Sequence, residues 1–237
     1  MSNTRFFKLI LPIVLLASLR ASALYNGNPA EPRLIENGVI WKKNKLKVKV
    51  GYEGDFMYDR NVRAHGKAEC SVDRFKYWMN QGVATLTIKR RFEIYGSLGT
   101  MKTGFEHLHS KHHLTWGAGA RGIVYRKRTT VIGIDAVYQR AEGRTLKYQD
   151  WQAGLGIAHQ IDVLTPYLAL TFSGMRGKVT KVPQTLDLRT GSFTLRNRHW
   201  FGFALGCSVS PGKWFDVNVE ARVLDEQAFS LAGNFAF

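Results

Sequence analysis

Long apolar runs are missing from this chain, and their absence excludes a bundle of membrane-spanning helices. After residue 23 no stretch approaches the roughly 18 consecutive apolar residues that a spanning helix needs. The mean hydropathy of −0.20 agrees. Cysteine is nearly missing too. Cys70 and Cys207 are the only two, far apart, with no CxxC and no zinc spacing, so no disulfide scaffold or zinc site organises the fold. Their spacing does not say whether they pair. Acidic residues are also few: 18 Asp and Glu stand against 34 Lys and Arg, for a formal net charge of +16. Such an excess admits nucleic acid, anionic lipid or acidic solutes as partners.

What the chain does contain begins with an export signal. Arg5 and Lys8 form a positive n-region, Leu9 to Leu16 a short apolar core, and Ala21-Ser22-Ala23 an A-x-A cleavage site. Residues 1–23 are therefore expected to be a signal peptide, cleaved after Ala23. An exported chain does not meet nucleic acid, so that partner class is set aside. Residues 24–45 follow as a polar periplasmic approach segment, in which Pro29 and Pro32 are expected to exclude regular structure. Residues 46–237 are expected to form one β-barrel.

The barrel reading starts from the far end. Phe229, Leu231, Gly233, Phe235 and Phe237 alternate with Ser230, Ala232, Asn234 and Ala236, a period of two that runs to the last residue. Nine earlier stretches alternate similarly: Leu46–Tyr58, Lys76–Ile88, Phe92–Phe105, His113–Tyr125, Thr130–Arg140, Tyr148–His159, Leu164–Met175, Leu195–Ser210 and Trp214–Leu224. The connections between them form two sets. Lys89-Arg90-Arg91, Arg126-Lys127-Arg128, Gln160–Val163 and Pro211-Gly212-Lys213 are short. Asp59–Phe75, Glu106–His112 and Arg176–Thr194 are long, and the two sets alternate along the chain, with Ala141–Lys147 and Asp225–Gln227 as short members of the second. Short periplasmic turns alternating with longer outside loops are the pattern of an outer-membrane barrel. The predicted fold is all-β: an antiparallel transmembrane β-barrel of about ten strands, with both termini in the periplasm.

The same alternation points Lys47, Lys49, Glu53, Asp55, Glu93, Arg121, Asp135, Asp216, Glu220 and Arg222 into the lumen as candidate pore-lining residues. A ten-stranded barrel is narrow. A salt-bridged plug and a selective pore both fit this set, and in an open pore Lys47, Lys49, Arg121 and Arg222 would favour anions. His107, His109, His112 and His113 cluster in one outer loop, where Glu106 is the only nearby carboxylate. No catalytic residue, metal site or cofactor is assigned, and the chain is read as a non-enzyme. Basic turns at the periplasmic rim point to the head groups of outer-membrane lipid as partners, and Arg176, Lys178, Lys181, Arg189, Arg196 and Arg198 on the outer side to lipopolysaccharide phosphates or host polyanions.

Several segments carry a resemblance. Ala23-Leu24-Tyr25-Asn26-Gly27-Asn28-Pro29-Ala30-Glu31-Pro32, continuing to Gly38-Val39-Ile40-Trp41, resembles the mature start of the chlamydial major outer membrane porin family. Gly51–Arg60, Arg91–Gly99, Trp151–Leu155, Leu164–Leu168 and Val219–Glu226 resemble later parts of it, in order. The resemblance implies an outer-membrane barrel that passes small solutes or ions, contributes to envelope structure and assembles as a trimer after handling by the barrel assembly machinery. The alternative is a non-conducting structural or adhesive barrel presenting basic loops. Family members are longer and cysteine-rich, whereas Trp41 here is followed by Lys42-Lys43-Asn44-Lys45, so an intermolecular disulfide would rest on Cys70. Cys207 falls on a lipid-facing strand position, and a bridge between the two is not expected.

Overall fold

Ten alternating strands have twenty edges to satisfy, and a closed ring is the one arrangement that leaves none open. The computed structural model describes residues 27–34, 46–65, 70–72, 75–104, 112–143, 146–179, 193–211 and 214–236. The signal region, Phe237, Lys42, Lys43 and Lys213 lie outside the described residues. One helical turn, α1 (Glu31–Leu34), precedes the strands β1 (Leu46–Arg60), β2 (Val62–His65), β3 (Cys70–Val72), β4 (Lys76–Ile88) and β5 (Phe92–Gly104). Then come β6 (His112–Lys127), β7 (Thr130–Glu142), β8 (Leu146–His159), β9 (Leu164–Val179), β10 (Phe193–Asn197), β11 (Phe201–Val209), β12 (Phe215–Val223) and β13 (Glu226–Ala236). No described helix is long and apolar enough to cross a membrane.

The wall is a closed antiparallel barrel of ten strands, as the alternation predicts. Strands β11, β12, β13, β1, β4, β5, β6, β7, β8 and β9 are neighbours in that order, and β9 pairs back onto β11 from Phe172↔Phe201 to Leu164↔Val209. The terminal strand β13 pairs with β12 on one side and with β1 on the other, where Lys49↔Ala236 and Arg60↔Glu226 mark the ends of the ladder.

The remaining three strands extend the wall beyond the ring at the long-loop end. Strand β10 continues the outer end of β9 through Phe193↔Val179 to Arg196↔Arg176, β2 pairs with β10, and β3 with β2. This corrects the expectation of one strand over Leu195–Ser210. Strand β9 outruns the wall, so its inner part pairs with β11 and its outer part with β10. The chain turns between them at Arg198–Trp200, held by Arg198 N donating to Asn61 O and Ser173 N to Trp200 O, each 2.9 Å. No glycine or proline marks that break, which is why alternation alone joins the two strands.

The short turns are tight. Lys89 and Arg90 both have positive φ, 51° and 55°, and Arg91 N closes onto Ile88 O at 3.1 Å. That is the twist a right-handed hairpin wants, taken up here by two residues that bear a Cβ. The outward face is apolar. Tyr52, Leu98, Leu114, Val124, Ile134, Trp151, Leu155, Leu168 and Leu205 are all at least 46 % exposed. The inward face is mainly charged and polar.

Candidate functional site: the filled lumen

Inward positions along a barrel strand are shielded from bulk water, so each charge there needs a partner. All ten sequence-predicted lumen residues face inward, and most of them are bound into networks rather than left to line a water column. At the short-turn end Lys49 Nζ lies 2.6 Å from Glu93 Oε1, and Arg121 lies 3.5 Å from Glu93 Oε2. Thr87 Oγ1 donates to Glu93 at 2.7 Å. Two strands away from Lys49, on β12, Asp216 accepts from Asn218 at 2.6 Å and from Asn234 at 3.2 Å. Above them Arg222 Nη2 meets Asp55 Oδ1 at 3.0 Å, and its Nε stands 3.6 Å from Glu220 and 3.2 Å from Glu226. Glu53 bonds Gln81, Lys47 is buried, and Asp135 Oδ2 is buried without a hydrogen-bond partner among the described residues.

The approach segment enters this network. Asn28 Nδ2 donates to Ser208 Oγ at 2.7 Å and to Thr165 O at 3.0 Å, spanning β11 and β9. Gly27 N donates to Glu220 Oε2 at 3.2 Å, and Tyr167 OH donates to the same oxygen at 2.8 Å. Glu31 bonds Arg121, accepts from Asn234 at 3.0 Å and lies 3.8 Å from Lys49. Pro29 packs against the wall so closely that a Cβ on Gly156 would come 2.5 Å from its ring. Residues 27–32 are buried in the lumen. Pro29 and Pro32 do not exclude regular structure after all. Asn28 accepts from Ala30 N and Glu31 N, and the chain makes the helical turn α1 with Pro32 near its start, where a missing N–H leaves no bond unmade.

At the long-loop end the filling changes character. Met57, Met79, Met101 and Met175 are buried there with Phe75, Tyr77 and Tyr148. The Tyr77 and Tyr148 rings meet edge to face at 5.7 Å, and Phe75 stacks on Tyr148 at 5.9 Å. Below this apolar layer Arg60 pairs with Asp150, stands 3.5 Å from Glu226 and donates to Ser173, which donates to Asp225 at 2.8 Å. Alternation places Arg60 on the outer face. A β-bulge between Met57 and Asp59 re-aims it inward.

Sequence reasoning therefore missed Asn28, Glu31, Arg60, Asp150, Asp225 and Glu226. Asp150 was legible, since it shares the inward set with Tyr148 and Gln152. His113 sits inward on β6, its Nε2 3.4 Å from Thr103 Oγ1, while His107 and His109 lie outside the described residues. Cys207 is a half-exposed free thiol on β11. Cys70 is on β3, and its side chain lies outside the described residues.

An apolar outward belt around a closed, charged interior defines the class: a β-barrel of the outer-membrane type. Relatives in sequence are distant. The chain is 19 % identical to the major outer membrane porin of Chlamydia psittaci, over 93 % of this chain and 96 % of that one. It is 16 % identical to the serovar F major outer membrane porin of Chlamydia trachomatis, over 97 % and 100 %. The first alignment runs over 377 positions against 237 residues here, so the relative carries long stretches that this chain lacks. No family model matches. Similar solved structures include the outer membrane protease OmpT of Escherichia coli, 8 % identical over 80 % of this chain and 94 % of that one, with a TM-score of 0.42. The COG4313 outer membrane channel of Pseudomonas putida F1 is 10 % identical over 84 % and 97 %, with a TM-score of 0.37. The reading of the chain as a non-enzyme is corrected by the first of these.

Proposed function

We propose that the protein is a small outer-membrane barrel akin to the chlamydial porins, exported and processed after Ala23, whose lumen is held shut by its own N-terminal segment. The observation that carries this reading is the seating of Asn28 and Glu31. One ties β9 to β11, and the other completes the Lys49–Glu93–Arg121 cluster. Solute passage then requires Gly27–Leu34 to withdraw. Among the described buried residues that stay in the wall, Glu53, Asp55, Glu93, Asp150, Asp216, Glu220, Asp225 and Glu226 outnumber Lys47, Lys49, Arg60, Arg121 and Arg222. An opened lumen would therefore favour small cations, the reverse of the anion preference expected from four of those cations alone. Planar-bilayer recordings test this. The wild type should be largely silent, and Asn28→Ala with Glu31→Gln should conduct with a cation-selective reversal potential. Silence in both, from protein shown to be inserted, would remove the gated-pore reading.

A second reading is a non-conducting envelope barrel, favoured by the apolar layer of Met57, Tyr77, Met79 and Tyr148 at the other mouth. Contribution to envelope structure is common to both. An intermolecular disulfide through Cys70 and a trimeric assembly belong to the same proposal, and non-reducing gels of wild type and Cys70→Ser test the first directly.

A further inference from the structure

The outer wall of the barrel carries a run of arginines for which the described residues supply no counter-charge. The pairing register sets Arg63 of β2 opposite Arg196 of β10, and Arg196 opposite Arg176 of β9. In the row two residues further out, Lys178 of β9 stands opposite Lys147 of β8. All five side chains are exposed. Neighbouring strands lie about 4.8 Å apart, so three guanidinium stems occupy a width of about 10 Å. Like charges placed directly opposite one another weaken a sheet. Among the described residues no carboxylate pairs with Arg63, Arg176, Lys178 or Arg196. Glu142, which faces Lys147, is engaged by Arg140, whose Nε donates to it at 2.8 Å.

The apolar belt runs up to this ladder on the same strands. On β9 Leu168 and Phe172 face outward, Phe172 packing on Phe201 of β11 at 5.6 Å. Trp151 of β8 lays its indole over Gly174, where a Cβ would come 2.3 Å from Nε1. Arg176 is the next outward position on β9, about 7 Å along the strand. Cations therefore begin where an aromatic girdle ends, on the side of the longer loops. That is the level of lipid phosphates in the outer leaflet.

We propose that the ladder binds a phosphorylated glycolipid of the outer leaflet. Arg63, Arg176 and Arg196 hold its phosphates, and the Trp151–Phe172–Phe201 face seats its acyl chains. Guanidinium groups in a row suit phosphate oxygens as paired donors. A soluble polyanion would use the charges and leave the adjoining aromatic face without a role, so the lipid is the occupant that fits both halves. This inference rests on the outer-membrane reading above.

The test titrates detergent-solubilised protein with bisphosphorylated lipid A, dephosphorylated lipid A and heparin, and counts bound species by native mass spectrometry. The wild type should retain bisphosphorylated lipid A. The triple variant Arg63→Gln, Arg176→Gln, Arg196→Gln should bind it roughly a hundredfold more weakly. Dephosphorylated lipid should bind both proteins weakly. Arg126→Gln with Lys127→Gln, at the other rim, should leave wild-type binding. Undiminished binding by the triple variant, equal binding of the dephosphorylated lipid, or a preference for heparin over lipid A would each overturn the proposal. Every preparation is first inserted into liposomes and checked for heat-shifted gel mobility. A wild type that fails to insert sinks the membrane reading itself, whereas insertion followed by indiscriminate binding sinks only the lipid site.

Discussion

The two ends of the lumen are closed by different means. At the short-turn end the filling is a segment that is not part of the wall: Gly27–Leu34, held by hydrogen bonds and by the Glu31–Arg121 and Glu31–Lys49 pairs. At the long-loop end it is the wall's own side chains, methionines and tyrosines fixed to their strands. A separate segment can leave without disturbing the ladder that makes the barrel. Side chains anchored to β1, β4, β5, β8 and β9 cannot. In the proposed gated pore the short-turn end is therefore the one that opens, and the long-loop end the one that stays fixed.

The largest effect should come from the network between the two ends. Arg222→Leu removes the cation that Asp55, Glu220 and Glu226 share in the lumen, and breaking a buried pair from one side costs about 3–5 kcal/mol. The urea midpoint for unfolding from detergent should fall accordingly, and an unchanged midpoint would mean that water enters the lumen freely. Next comes the apolar end. Met79→Ala opens a hole among buried side chains at a cost of about 2–5 kcal/mol, yet should leave the bilayer as silent as the wild type. Conductance from this variant would invert the assignment of the gate.

Smaller still is the effect on stability of emptying the short-turn end. In Glu31→Gln, Glu93 still serves both Lys49 and Arg121, so the wall network stays paired. The loss should be about 1 kcal/mol, with the change appearing in conductance. A collapse in barrel yield would show that the segment is needed for folding rather than for closure.

The smallest effect is confined to a pH window. Asp225, in the turn between β12 and β13, is pushed up to about 6 by burial and by neighbouring Glu226. A carboxyl raised above its unfolded value binds more protons when folded. Its contribution is therefore complete below about pH 4 and lost as pH rises through about 6. Asp225→Asn should flatten that slope in the unfolding midpoint, and an unaltered slope would place its origin in other groups.

The wall was readable because each strand repeats one decision. Tyr52, Leu155 and Leu168 point to lipid, and Lys49, Gln152 and Tyr167 point inward, so β1, β8 and β9 fall where period two puts them. The site was only half readable. Glu93, Asp216, Glu220 and Arg222 follow the same period. Arg60 does not, because an extra residue in β1 turns it inward. Asn28 and Glu31 sit in a proline-bearing stretch with no period at all, and only their partners Ser208, Arg121 and Asn234 show where they go. The split between β10 and β11 was hidden for a related reason, since it depends on the length of β9 rather than on any residue at the break.

By itself the sequence determined the class of fold, the number of wall strands and the side of the wall on which the charges of the regularly alternating stretches fall. These are properties of alternation, and alternation is local. Tertiary structure alone decided that the lumen is filled, that the approach segment fills one end of it, and that Arg63, Arg176 and Arg196 come into line on the outside. Those facts depend on which strands become neighbours and in what register, and closure of the ring sets that only when all ten strands are in place.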